Sequence, residues 1–207
     1  MQPVIPIFPI KLVVFPLSKY PLHIFEKRYK KMINKCLDEN TGFGITASIS
    51  GEFSKVGTYA TIVKVTKKYL TGEMDIIVKG NERFIITNFE MHADGYYIAN
   101  VHEYNDTSSS ADDLLLEEME DKFEKIIDRV NYKLEESFWD NYQKSQIKSF
   151  KVAEKSGLSI EQQQTLLSIQ NENERIVFLI AHFEKLDEML VENLGLKKIV
   201  LGNGYLN

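Results

Sequence analysis

Cys36 and the histidines are the side chains in this sequence whose types could support nucleophilic or metal chemistry. A thiol nucleophile needs a neighbouring base, and His23 is a candidate for that role. Cys36, however, recurs with Met32 and Ile33 at the three- and four-residue spacing of one helix face. That spacing makes it a small buried hydrophobic residue. We therefore predict no catalytic cysteine.

Motifs that hold metals, phosphates or nucleophiles are missing from the sequence. A P-loop, a His-Glu-x-x-His zinc helix and a Gly-x-Ser-x-Gly turn do not occur. A single cysteine excludes an internal disulfide and a cysteine-based zinc cluster. The histidines are widely separated along the chain and predict no metal site; they are His23, His92, His102 and His182. We predict no enzyme, no metal and no cofactor, with a hydrolase built from dispersed residues as an alternative.

Charge is divided unevenly along the chain. Residues 1–104 carry 13 Lys and Arg against 10 Asp and Glu, whereas residues 105–207 carry 12 against 20. A nucleic-acid partner requires a concentrated basic face, so a pI near 5.5 makes nucleic acid an unlikely main partner. The mildly basic front half nevertheless keeps an RNA-binding module as an alternative. The lysines behind that alternative are Lys64, Lys67, Lys68 and Lys79.

The front half has the pattern of a β-rich subdomain, which we place at residues 1–104. All prolines lie at or before Pro21, which predicts an extended opening with edge strands at residues 5–10 and 12–15. A helix is expected over residues 26–37. Further strands are predicted at residues 43–49, 59–66, 74–78, 84–89 and 96–101, with a hairpin turn at residues 68–72. Short strands at this spacing favour a closed or half-closed barrel.

The back half has helical periodicity, and we place a helical bundle at residues 111–195 followed by a tail at 196–207. Helices are predicted over residues 115–134, 139–154, 159–168 and from 171 to the residues before Gly195. Ser159 and Gln162 have the spacing of a capping box, and the segment from Ser110 to Asp113 resembles a weak capping box. The predicted class is therefore α+β.

Targeting signals are not evident. The first seven residues hold no basic cluster, and no uncharged run approaches the length of about 20 residues that spans a membrane. A lone cysteine fits a reducing compartment. We expect a cytoplasmic protein without a membrane partner.

Three segments near the start closely resemble the opening of the Lon protease N-terminal domain family. They are residues 6–10 (PIFPI), 14–16 (VFP) and 21–29 (PLHIFEKRY). The resemblance continues in order through Phe43-Gly44-Ile45, Gly57-Thr58 with Ala60 and Ile62, Gly72 through Gly80 with Arg83-Phe84, and Tyr97 with Ala99 and Val101. In the back half it is clearest at Gln163 with Leu166-Leu167 and at Glu174-Arg175-Ile176. The sequence departs from the pattern at Leu17-Ser18, where many members have glycine, and at Lys27, where many have proline.

The resemblance implies a PUA-like β-barrel-type subdomain joined to a helical bundle. In the full-length proteases this domain recruits unfolded or tagged polypeptides for the ATPase and serine-lysine peptidase domains that follow it. For this chain the resemblance implies a module that binds polypeptides and does not catalyse a reaction. Such a module would act as an adaptor or chaperone-like recruiter, with a separate ATPase or protease as its partner.

Polar residues in the matched segments are predicted to be structural, because buried or partly buried polar groups must be paired. They are His23, Glu26, Arg28 and Arg83. Phe8, Phe15, Phe25 and Phe84 are predicted to lie in the core.

Apolar residues in turns are the better binding candidates, since exposed apolar patches mark interaction sites. The candidates are Tyr69 and Leu70 at the hairpin, with Tyr20 and Leu22 in the proline-rich loop. The edge strand at residues 5–10 is a further candidate, by addition of an extended polypeptide.

Overall fold

The structure is a computed structural model that describes residues 3–108 and 110–192. The chain divides into two compact units, Met1–Asn105 and Asp106–Asn207. The first holds all the strands and one helix of the described residues, and the second holds helices. The predicted tail at residues 196–207 lies outside the described residues.

The strands of the first unit close on themselves. They are β1 Val4–Ile10, β2 Lys19–Ile24, β3 Phe43–Ile49, β4 Glu52–Phe53, β5 Val56–Lys68, β6 Met74–Met91 and β7 Tyr97–Glu103. The path β1-β7-β6-β5-β3 returns to β1, because β1 pairs antiparallel with β7 and parallel with β3. The predicted α+β class with a barrel-type front unit is confirmed.

Three of the predicted strands are changed in the structure. Residues 12–15 are buried but form no strand. Residues 74–78 and 84–89, predicted as two strands, belong to the single long strand β6. Gly80 lets the segment at residues 12–15 approach β6 closely, because a Cβ atom there would lie 2.4 Å from the Phe15 carbonyl oxygen.

Helix α1, Lys27–Glu39, has one apolar face that fills the front unit. Tyr29, Met32, Ile33 and Cys36 are buried there and belong to the same core as residues of β2, β3 and β6. Asn40 ends the helix in a left-handed conformation, φ 53°. The predicted helix is confirmed, together with the burial of Cys36.

The departures from the family pattern lie at two backbone positions with special geometry. Leu17 has φ 67°, in the left-handed region that glycine adopts without steric cost. Lys27 is the first residue of α1, where proline is favoured because its missing N–H has no helical partner. The glycine and proline of the family pattern thus fall at positions where this chain has Leu17 and Lys27.

The second unit consists of five helices within the described residues. They are α2 Asp113–Arg129, α3 Ser137–Lys144, α4 Lys148–Ala153, α5 Ile160–Ser168 and α6 Glu172–Glu192. The capping box of Ser159 and Gln162 is confirmed, whereas α2 is capped by Asp112 instead of Ser110. The single helix predicted over residues 139–154 is wrong: Ser145 is extended and its hydroxyl donates to the Ile147 carbonyl, which separates α3 from α4. Of the helices in the described ranges, none combines the length and the apolar character needed to cross a membrane.

Candidate functional site

Strand β2, the first part of β6 and the second part of β5 form an antiparallel sheet with one buried face and one outward face. Residues alternate along β2, so every second side chain points into the core and the others point outward. Pairing between the strands aligns the outward residues in three rows. The rows are Lys19, Lys79 and Thr61, then Pro21, Ile77 and Lys64, then His23, Asp75 and Lys67. We call these nine residues the outer face.

The third row of the outer face adjoins the hairpin that joins β5 to β6. Tyr69 N–H donates to the Glu73 carbonyl and Gly72 N–H donates to the Tyr69 carbonyl, both at 2.9 Å. Gly72 has φ 80°, which favours glycine at that position of the turn. Leu70 is fully exposed at the end of the turn. The predicted hairpin is confirmed.

Aromatic rings gather at this end of the outer face. The His23 ring stacks on Phe25 with centroids 5.9 Å apart, and it meets the edge of Tyr69 at 5.8 Å. Phe25 is 59% exposed, so the prediction that it lies in the core is wrong. The alternation of β2 explains this, because Phe25 continues the outward series of Pro21 and His23. We call His23, Phe25, Tyr69 and Leu70 the aromatic tip.

Hydrogen bonds to Asp75 hold the aromatic tip in place. His23 Nδ1 lies 2.6 Å from Asp75 Oδ1, and the Tyr69 hydroxyl donates to Asp75 Oδ2 at 2.8 Å. These two bonds lower the pKa of the Asp75 carboxyl from its ordinary value, and the bond with His23 has the larger effect. The Lys67 ammonium lies 4.4 Å from the centre of the Tyr69 ring. Polar contacts therefore hold the His23 and Tyr69 rings of the tip, beside the exposed Phe25 and Leu70.

Tyr20 and Leu22 do not contribute to this surface. Each is only 9% exposed and belongs to the core of the front unit. The Tyr20 hydroxyl accepts a hydrogen bond from Phe15 N–H at 3.5 Å. The prediction that both are exposed is wrong, because the proline-rich segment pairs with β6 as strand β2 and both residues occupy its inward positions. Tyr69 and Leu70 do reach the surface.

The strand predicted as an edge, residues 5–10, pairs with a different neighbour in each half. Residues 4–7 pair with β7, and residues 7–10 pair with β3. Only Ile7 pairs with both neighbours, and the addition of an extended polypeptide along β1 stays a prediction.

Three other residues of the matched segments take part in local contacts. Glu26 precedes α1 without a capping hydrogen bond from its side chain, and its carboxylate accepts from Arg28 Nε at 2.9 Å. The Arg28 guanidinium lies 4.5 Å from the centre of the Tyr29 ring. Arg83 is buried with its guanidinium 5.2 Å from the ring of Tyr104. These contacts lie within the front unit, and the structural role of the three residues stays a prediction.

Catalytic pairing of Cys36 with His23 has no geometric support. The Cys36 thiol is buried and contacts the Gly42 carbonyl oxygen at 3.6 Å, and burial raises its pKa. His23 lies on the outer face and bonds to Asp75. Within residues 3–108 and 110–192, no group of three or more His, Cys, Asp or Glu side chains could hold a metal ion.

A family model described as the ATP-dependent protease La (LON) substrate-binding domain matches residues 4–185. The chain belongs to the Lon substrate-binding domain family. This membership confirms the resemblance inferred from the sequence, and the match extends through both units of this Lon-type domain.

Solved structures of Lon N-terminal domains have the same fold. A Lon N-terminal domain protein from Xanthomonas campestris is 20% identical, with a TM-score of 0.68 over 86% of this chain and 98% of that one. The N-terminal domain of a Mycobacterium avium complex Lon protease is 16% identical, with a TM-score of 0.66 over 88% of this chain and 98% of that one. At these identities the similarity establishes the fold.

Proposed function

We propose that this Lon-type domain is a non-catalytic module that binds unfolded or tagged polypeptides, and that it acts as an adaptor or chaperone-like recruiter for a separate ATPase or protease. The observation that carries the proposal is the aromatic tip, where Leu70 and Phe25 are exposed beside two fixed rings. Membership of a substrate-binding domain family supports a binding role.

The physical argument concerns the apolar area that the tip exposes to water. Burial of apolar surface is the main favourable term in polypeptide association. The His23 and Tyr69 rings are already oriented by Asp75, so little side-chain freedom is lost when a ligand covers them. An unfolded polypeptide can supply apolar side chains to such a surface, whereas a folded protein has buried most of its own.

The test uses the full chain and a reduced, alkylated protein that stays unfolded. We expect binding, measured by fluorescence anisotropy, to weaken at least about tenfold in the double variant Leu70→Asp with Phe25→Ser, because each change removes exposed apolar area. Leu114→Asp is the matched control, since Leu114 is also strongly exposed but lies on α2.

The control should bind as the wild type does. Absence of binding by the wild-type chain, or equal binding by the tip variant with an unchanged circular dichroism spectrum, would contradict the proposal.

A further inference from the structure

The first two rows of the outer face carry three lysines without a partner. Lys19 and Lys79 face each other directly across β2 and β6, and Lys64 occupies the neighbouring row on β5. In the described part of the chain, none of these three ammonium groups has a hydrogen bond or an ion pair with a protein group. Three positive charges therefore lie together on one surface, and none of them is paired with a carboxylate of the described residues.

This arrangement is unfavourable for the isolated domain. Like charges directly opposite each other destabilise an antiparallel strand pair. Some surface lysines elsewhere in the structure have acidic partners, as Lys31 has in Asp94 and Lys122 in Glu184, whereas others, such as Lys11 and Lys55, have none among the described residues. The one acidic residue among the three rows, Asp75, is bonded to His23 and Tyr69 in the third row. The first two rows can thus accept negative charge from a ligand.

The geometry relates these lysines to the aromatic tip. Ile77 is half-buried between Lys79 and Asp75 on β6, and Pro21 lies beside it on β2. Alternate residues of a strand are about 7 Å apart, so the first row lies about 13 Å from the third. An extended polypeptide covers that distance in about four residues.

We propose that the outer face selects polypeptide segments that have an apolar side chain and, about four residues away, Asp or Glu. The apolar side chain packs on the aromatic tip, the intervening residues cross Ile77 and Pro21, and the carboxylates bind Lys19, Lys64 and Lys79. This inference rests on the proposed polypeptide binding and adds the charge of the preferred segment.

A polypeptide fits this face better than RNA does. The Asp75 carboxylate lies in the row beside the tip and repels a phosphate backbone that would follow the face. The His23 ring is stacked on Phe25, so one face of each ring is unavailable for stacking with a base. Ile77 and Pro21, which separate the lysines from the tip, present aliphatic surface that suits side chains more than phosphates.

The experiment compares three fluorescent peptides of equal length with the same apolar residue. The peptides differ at two neighbouring positions about four residues from the apolar residue. These positions are both Glu in the first peptide, both Gln in the second and both Lys in the third. At about 0.05 M salt we expect the full chain to bind the Glu peptide at least about tenfold more tightly than the Gln peptide, and the Lys peptide most weakly. The preference should shrink at about 0.5 M salt, because ions screen exposed charges.

Charge variants assign this preference to the outer face. Lys64→Glu with Lys79→Glu should abolish it, and Lys64→Gln with Lys79→Gln should reduce it with less risk to folding. Lys11→Glu with Lys55→Glu changes the net charge of the chain equally, at exposed lysines outside the three rows, and should keep the preference. Thermal unfolding of each variant verifies that it is folded.

The possible outcomes separate the two proposals. Equal binding of the Glu and Gln peptides overturns the charge preference and leaves polypeptide binding intact. Binding of none of the three peptides, together with no binding of an unfolded protein, overturns both. If a uridine oligonucleotide displaces the Glu peptide and binds with equal or higher affinity, the proposal that the three lysines bind a polypeptide is overturned.

Discussion

At the scale of single residues, His182 on α6 is a partly buried polar side chain whose two ring nitrogens both have hydrogen-bond partners. Its Nε2 donates to the Ser156 carbonyl at 2.8 Å, and its Nδ1 lies 3.4 Å from Gln162 Nε2, from which it accepts. Both ring nitrogens are thus used by the neutral tautomer. Burial lowers the pKa of His182, the Ser156 hydrogen bond opposes this, and the positive charge of Lys185 lowers it slightly further.

The lowered pKa of His182 predicts that the folded protein becomes less stable in mildly acidic solution. A histidine in the unfolded chain has a pKa of about 6.5, above that of His182 in the native state. The unfolded state therefore binds more protons as the pH falls below about 6.5, and the free energy of unfolding decreases. We expect His182→Gln to reduce this decrease between about pH 7.5 and 5.5, measured by urea unfolding. An identical decrease in the variant and the wild type would show that other groups cause it.

Two residues show how far residue types indicate exposure. Tyr20 and Phe25 are both aromatic and lie close together in the sequence, yet one is buried and the other is exposed. Their burial follows the inward and outward alternation of β2, which becomes visible only once the segment is known to be a strand.

At the scale of elements, a buried ionic network joins three parts of the second unit. The Arg175 guanidinium on α6 is wholly buried and donates two hydrogen bonds to the Asp106 carboxylate, at 2.7 and 2.6 Å. It also donates to Glu172 at 2.8 Å and to the Ile169 carbonyl at 2.8 Å. Glu172 in turn accepts from the Ser149 N–H at 2.9 Å, at the start of α4. Resemblance had singled out Arg175, but only the structure shows these contacts.

Removal of the guanidinium should destabilise the second unit strongly. Arg175→Met keeps the volume but removes the buried cation to which Glu172 and Asp106 bond, so we expect a loss of about 3–5 kcal/mol in the free energy of unfolding. Arg129→Met is the control: Arg129 pairs with Asp187 at the surface, and its loss should cost less than about 1 kcal/mol. Guanidinium chloride unfolding compares the two, and equal losses would show that the network contributes little.

At the scale of the whole molecule, the distribution of charge argues against RNA as the main ligand. The chain has a formal net charge of −5, with the acidic excess in the back half. The lysines proposed for RNA are Lys64, Lys67, Lys68 and Lys79, and three of them lie on the outer face together with Asp75. Four lysines neutralise few phosphates, and counterion release scales with that number.

We therefore expect little retention of single-stranded RNA at about 0.15 M salt. Filter binding with a labelled uridine oligonucleotide of about 15 residues measures it, with a strongly basic RNA-binding domain as the positive control. Tight retention, with affinity that falls linearly in the logarithm of salt concentration, would instead establish the RNA-binding alternative.

The sequence by itself determined the family, the α+β class, helix α1 with Cys36 in the core, and the hairpin that presents Tyr69 and Leu70. These features depend on local periodicity, turn residues and contiguous motifs, which can be read along the chain. The tertiary structure alone decided which residues share a surface. Strand register brings Lys19, which is far from Lys64 and Lys79 in sequence, into the same outer face, and it places Asp75 beside His23. Register arises from closure of the barrel and packing of its core, so contacts between distant segments determine it.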